Sequence, residues 1–480
     1  AFIAGAFATY TGRGLIGVFN PPVTEMQHLN QVLRGLLAAS PVISTMLTQI
    51  PISHYVDKHG GKKQVLLLLV GAVIGMGVLT GFSAAIDITL IDGFGWEYVT
   101  LLSAGCLIGL GSGTFPLIIN AIQWVKQPAR ISVTQNAFGS IADFSGVTTP
   151  VAVYLLKSYG YAVPFAVYTG ILLSGMAVAA RYVVLTPYHQ ARKYYPHEAA
   201  KKLAIEAGQL PEMINNDEVE LAWRITLKNH YHTLFNLRGL TLNFAFFTTL
   251  GSFFVTETIL PTLLKNGFGA TQGEAIITAS LANLLTILVR IPAGKLLSYW
   301  SDRSGGVKVH LIGCGLTALG AIPLAFIDLP RWALYASVGV LNSGYGVGIM
   351  TSTYLVHPWK SPANKKMAPL NASTMLGILG TVGTAGGLVL PITMGLMVDA
   401  EGEAGYKHYF ALILSMALLS GLLVYLTHLM VNKKDEESMF GNPMNLFRCI
   451  RHAESSRGYL FRDDSPVPLT ETYKQPTGMA

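Results

Sequence analysis

The sequence predicts an all-α polytopic membrane protein, with twelve transmembrane helices in two pseudo-symmetric bundles of six. Three observations carry this prediction. Only 12% of the 480 residues are charged and 51% are hydrophobic, whereas about 25% of an ordinary soluble domain is charged. So few charges do not coat a water-soluble globule of this size. Twelve stretches stay mostly apolar over the roughly 20 residues that a helix needs to cross a hydrocarbon core of about 30 Å. The cations between those stretches alternate in density from one connection to the next.

The first six spans fall at residues 1–21, 33–55, 64–85, 98–125, 132–156 and 161–186, and the second six at 240–263, 272–299, 308–327, 332–357, 368–398 and 408–431. The predicted units are therefore an N-terminal six-helix bundle over 1–186, a central loop over 187–239, a C-terminal bundle over 240–431 and a tail over 432–480. The central loop holds the charge-rich run from Arg192 to Lys228. The first span opens at Ala1 without an initiator methionine, so no targeting signal is read from that end.

Connections after spans 2, 4, 6, 8, 10 and 12 hold 24 of the 33 Lys and Arg residues, and the opposite connections hold only Lys157, Lys265, Arg331 and Lys407. By the positive-inside rule both termini and the central loop are expected in the cytoplasm, in a cell or inner membrane. The net charge of +7 thus reads as a topology signal, and no nucleic-acid partner is expected.

Other classes are disfavoured. A mean hydropathy of +0.45 argues against a disordered chain, and the composition against a collagen-like one. Cys106, Cys314 and Cys449 are scattered, giving neither a disulfide framework nor a zinc spacing. His189, His197, His230 and His232 fall in the central loop and read as solvated rather than metal-bound. No metal or other cofactor is expected. No phosphate-binding Gly-Lys-Ser/Thr loop occurs, and no nucleophile stands out with its base, so neither ATP hydrolysis nor an enzyme is expected.

The two halves repeat one turn. The first reads Gln49-Ile50-Pro51, then Asp57-Lys58-His59-Gly60-Gly61-Lys62-Lys63; the second reads Arg290-Ile291-Pro292, then Asp302-Arg303-Ser304-Gly305-Gly306-Val307-Lys308. In each, an Asp at a helix end is followed by a cation, a Gly-Gly pair suited to a chain reversal, and further cations facing the cytosol. Such duplication is typical of transporters built from repeats. Glycines also recur at helical spacing in three spans: Gly109, Gly111 and Gly113; Gly339, Gly344, Gly346 and Gly348; and Gly377, Gly380, Gly383, Gly386 and Gly387, followed by Pro391 and Gly395. Small residues at that spacing let helix backbones approach closely and rock or pack against each other.

On these stretches the chain resembles the major facilitator superfamily, whose second and third helices are joined by a G-x-x-x-D-[RK]-x-G-[RK]-[RK] motif, repeated more loosely after helix 8. Within it, the chain is similar to the nitrate/nitrite porter branch. The Asp-cation-x-Gly-Gly turn, the glycine-rich eleventh span, the fourth span from Gly109 to Pro116 and the run from Gly251 to Gly267 carry that likeness. The resemblance implies a secondary transporter that works by alternating access. Asp57, Lys58, Gly60, Gly61, Lys62, Asp302, Arg303, Gly305 and Gly306 would then form its conformational motif. It also implies a nitrate-holding arginine in helix 8, matched by Arg290, and a second in helix 2, where this chain has Gln49. The spacings differ too: Gln49 precedes Asp57 by eight residues and Arg290 precedes Asp302 by twelve.

Charge within hydrocarbon is costly and marks a cavity or a partner. Arg290 lies about 18 Å above the second turn, near mid-depth, where a guanidinium can hold an oxyanion through two parallel hydrogen bonds. The expected substrate-binding residues are Arg290, Arg13 and Gln49. Asp143 and Glu257 are expected to couple protons, since a carboxylate in a low-dielectric site gains proton affinity; each also fits a static ion pair with Arg13, Arg290 or Lys295. Lys295 is expected to snorkel to the interface, Arg34 and Arg181 to anchor helix ends, and the pairs Gln135-Asn136 and Asn342-Ser343 to line a cavity. The expected function is secondary active transport of a small anionic solute by a monomer in the bilayer, with protons as a possible co-substrate. A carrier of organic acids, siderophores or metal complexes is the alternative, as is a receptor or scaffold that does not transport.

Overall fold

The computed structural model describes residues 29–59, 62–114, 140, 145–182, 237–300, 303–355 and 372–430. Eleven α-helices lie there. In the first half these are α1 (Gln31–His59), α2 (Lys62–Ala85), α3 (Trp96–Leu110), α4 (Ser145–Tyr159) and α5 (Ala162–Tyr182). The second half holds α6 (Leu237–Phe268), α7 (Gln272–Tyr299), α8 (Arg303–Phe326), α9 (Arg331–Leu355), α10 (Ala372–Glu401) and α11 (Ala404–Met430). They coincide in order with predicted spans 2 to 12. Predicted span 1, with Arg13, lies outside the described residues, as do Asp143, Gly60, Gly61 and Asp302. Eight of the described helices are long and apolar enough to cross a membrane. The fold is all-α, as the apolar spans predict.

Local chemistry sets several boundaries. Gly269, at φ +64°, lets the chain turn between α6 and α7 in a conformation that costs other residues energy. Thr271 then caps α7: its side chain accepts from the Glu274 amide while the Glu274 carboxylate accepts from the Thr271 amide. Arg331, at the start of α9, donates to Glu274 at 2.9 Å and ties those two helix starts together.

Within the first half, α3 lies against α1 and α2, and α5 against α2. The Thr45 hydroxyl contacts both the Gly109 carbonyl, at 2.7 Å, and the Pro41 carbonyl one turn back, at 2.9 Å. Tyr98 of α3 donates to the Leu33 carbonyl at 2.9 Å. In the second half, α9 lies against α8 with Gly313 facing Gly348, where a Cβ would come within 3.0 Å of backbone nitrogen. A membrane bundle gains little from apolar burial against lipid, so its association rests on such close packing and on interhelical hydrogen bonds.

Among the described residues the halves meet chiefly through two helix pairs, with a smaller contact between α1 and α6. Helix α1 runs antiparallel to α10, with Gly35 facing Pro391, Gly395 facing Gln31, and Gly377 facing Ser53. From Gln31 to Ser53 this seam extends about 33 Å at the helical rise. Helix α4 meets α7, and Ser140, just ahead of α4, donates to the Ile287 carbonyl at 3.2 Å.

The duplicated turns lie only partly within the described residues. Asp57 and Lys58 fall in the last turn of α1, and Lys62 opens α2. In the second half, Gly305 and Gly306 lie inside the first turn of α8 rather than in a reversal. There the chain leaves α7 at Trp300 (φ −91°, ψ 58°), whose amide still donates to the Leu296 carbonyl. These two glycines are thus part of the helix.

Candidate functional site

The site is assembled where α7 meets α4, α6 and α9. Arg290 is completely buried, and its guanidinium carbon stands 5.4 Å from the centroid of the Phe253 ring on α6, a cation–π contact. Burial of a guanidinium in a helix of this apolarity is costly without compensating partners, and the aromatic face supplies one of them.

Neighbouring positions on α7 fix the direction of this face. Thr286 donates to the Asn342 carbonyl of α9 at 3.0 Å, and the Thr286 carbonyl faces Gly346, so this side of α7 meets its own half. Ile287, whose carbonyl accepts from Ser140, turns toward the other half. Asn283 and Arg290 are seven residues apart, which places them within about 20° of one another around the helix. Both are buried, as are Thr286 and Asn342.

Gln49 is buried on the α1 face that meets α10. A Cβ on Gly380 would lie 2.7 Å from its Oε1, so the amide occupies the space that this glycine leaves. Gln49 and Arg290 hold comparable positions along their helices. Gln49 is ten residues before the end of α1 at His59, and Arg290 is nine residues before the end of α7 at Tyr299, with Pro51 and Pro292 following at the same offset. The unequal spacing to the two aspartates arises because Asp57 is still within α1 whereas Asp302 lies beyond the end of α7. Hence the two positions correspond more closely in the helices than along the motif.

Other residues are placed differently. Glu257 lies within α6, four residues before Pro261. Lys295 is exposed on α7, consistent with a side chain that reaches toward an interface. Arg34 of α1 donates from Nε to the Leu29 carbonyl at 3.1 Å, consistent with a helix-end anchor. Asn342 is completely buried, with its side-chain amide donating to the Val338 carbonyl at 2.9 Å.

The sequence reading missed Phe253 and Asn283. An amide within an otherwise apolar turn of α7 is a legible signal for Asn283; Phe253 is one phenylalanine among 21 and has none. It also missed His310 of α8, which is completely buried and within 3.1 Å of the Ser420 hydroxyl and 3.4 Å of the Cys314 sulfur. Among the described residues no cluster of three or more His, Cys, Asp or Glu offers a metal site.

The family model described as Major Facilitator Superfamily matches residues 2–368. No curated protein matches the chain.

Proposed function

The chain belongs to the Major Facilitator Superfamily, and from that premise we propose that it carries a small anion, recognised by Arg290, by alternating access between its two halves. As a member of that family it is a secondary transporter in the membrane rather than an enzyme, and its solute is a small molecule. The observation that carries the anion reading is the complete burial of Arg290 in the middle of an apolar helix, at the junction of α7 with the other half.

A guanidinium in such a place offers charge and paired donors to an oxyanion that displaces its solvation. Gln49, at the corresponding position along α1, supplies a neutral amide where the nitrate/nitrite branch has a second arginine. One fixed positive charge in place of two suits an anion other than nitrate, or a broader set of anions. Arg13 remains a candidate for a second cation, and Asp143 and Glu257 for proton coupling.

The same reading gives the rest of the design. Residues 1–186 and 240–431 form the two moving halves, the central loop and tail are cytoplasmic, and the protein acts as a monomer. Asp57, Lys58 and Lys62, with Asp302 and Arg303, form the paired cytoplasmic turns that exchange partners as the halves rock. The α1–α10 and α4–α7 contacts are the surfaces along which rocking would occur.

Uptake into proteoliposomes tests the central point. Nitrate, nitrite and small carboxylates are compared for wild type, Arg290→Lys and Arg290→Ala. Removal of the charge is expected to lower anion uptake at least about tenfold, with lysine retaining part of it. Unchanged uptake of every anion by Arg290→Ala would refute the assignment.

A further inference from the structure

We infer that the transported anion also carries a hydroxyl donor, as a small hydroxycarboxylate does, and that the side-chain oxygen of Asn283 or of Asn342 accepts its one proton. The inference rests on the anion reading of Arg290 and deepens it. Among the described residues, Asn283 Oδ1 and Asn342 Oδ1 are both buried and accept no hydrogen bond. A buried carbonyl oxygen without a donor is costly, so two of them, one on the helix of Arg290 and one on the helix packed against it, favour a ligand that supplies a donor.

The orientation of Asn342 is fixed. Its Nδ2 donates to the Val338 carbonyl at 2.9 Å, and exchanging the amide oxygen and nitrogen would set two acceptors against each other. The free atom is therefore the oxygen. Asn283 shares a helix face with Arg290 at an axial offset of about 10.5 Å, and long helical side chains lean toward the helix N-terminus. The arginine thus reaches back toward the level of Asn283, shortening that offset to a span that a small organic anion can bridge. Thr286, between them on α7, bonds to the backbone of Asn342 and brings α9 to the same place.

The chemistry favours a hydroxyl over an ammonium. On the two helices that carry these amides, α7 has no carboxylate beyond Glu274 in its first turn and α9 has none, while Glu257 of α6 is assigned above to protons. A neutral amide oxygen suits a neutral O–H donor, while a buried ammonium would need a counter-charge. Nitrate and acetate present only acceptors to these oxygens and leave them unsatisfied.

Acetate and glycolate differ by a single hydroxyl group and make the test. Thermal shifts of purified full-length protein are titrated with acetate, glycolate and nitrate. Glycolate is expected to reach its half-maximal shift at a concentration about tenfold below that of acetate or nitrate. At least one of Asn283→Leu and Asn342→Leu should lower that ratio while leaving the acetate response in place, and, where Asn342 is the acceptor, Asn342→Ser should recover part of it. Loss in only one of the two leucine variants sustains the proposal and assigns the acceptor to that residue. Equal responses to acetate and glycolate in wild type, or a ratio that survives both leucine substitutions, would overturn it while leaving the anion reading standing. If no anion shifts the wild type, or if Arg290→Ala keeps every response, the anion reading fails and this inference fails with it.

Discussion

A close approach between helix backbones in the second half gives a quantitative prediction. At the crossing of α6 and α10, a Cβ on Gly251 would lie 2.7 Å from Gly386 Cα and 2.8 Å from its carbonyl carbon. Non-bonded carbons rest at about 3.5–4.0 Å, so Gly251→Ala demands that two helices separate by about 1 Å. Neither obstructing atom belongs to a side chain that can rotate away. Overpacking of this kind costs about 1–3 kcal/mol, and here the upper part of that range is expected because the neighbour is backbone. Gly77→Ala and Gly315→Ala serve as controls: both are exposed on their helices, and an added Cβ meets nothing within 4 Å. They should be neutral or stabilising by up to about 1 kcal/mol through the better helix propensity of alanine. Thermal unfolding of the purified variants under one set of detergent conditions reads the difference in sign. If Gly251→Ala melts with the wild type, or if the controls fall as far as it does, close backbone packing does not hold these helices together.

Two further perturbations test separate contacts. Thr45→Val removes the hydroxyl between the Gly109 and Pro41 carbonyls while keeping the side chain's shape, and should cost about 0.5–1.5 kcal/mol in the same unfolding measurement; no change would mean that the α1–α3 contact does not depend on it. At the α8–α9 connection, the hydrogen bond and charge of Lys407 hold the Asp328 carboxyl below its usual 3.8. A depressed folded-state value stabilises the fold above the unfolded value, and this contribution disappears as pH falls through the folded one. Wild type should therefore exceed Asp328→Asn in melting temperature at neutral pH by a small margin, because the pair is exposed, and the margin should close on acidification below about pH 3.8. A margin that widens in acid would contradict the pairing.

The fold was legible because its cause is local. Spanning a bilayer requires runs of about 20 apolar residues, and such runs survive in the sequence whatever the helices later touch. The predicted order of spans 2 to 12 is accordingly the observed order of the eleven helices. Their ends were less legible. Gly305-Gly306 was expected to form a reversal and is helical; the backbone leaves α7 at Trp300, several residues earlier, where the Trp300 amide donates to the Leu296 carbonyl. Glycine permits a reversal without requiring one.

For the candidate site, sequence alone singled out Arg290, since a charge deep within an apolar run is costly wherever the run packs. The resemblance also exposed Gln49, eight residues before the motif aspartate, where an arginine is expected. What it did not supply was company. That Phe253 offers its ring to Arg290, that Gly380 leaves room for Gln49, and that Thr286 bonds the Asn342 carbonyl depend on residues dozens to hundreds of positions apart. Periodicity reports which residue types occupy a face; only the packing of α6, α7 and α9 decides which faces meet, because side-chain contacts and unsatisfied acceptors are properties of the assembled bundle and not of any one helix.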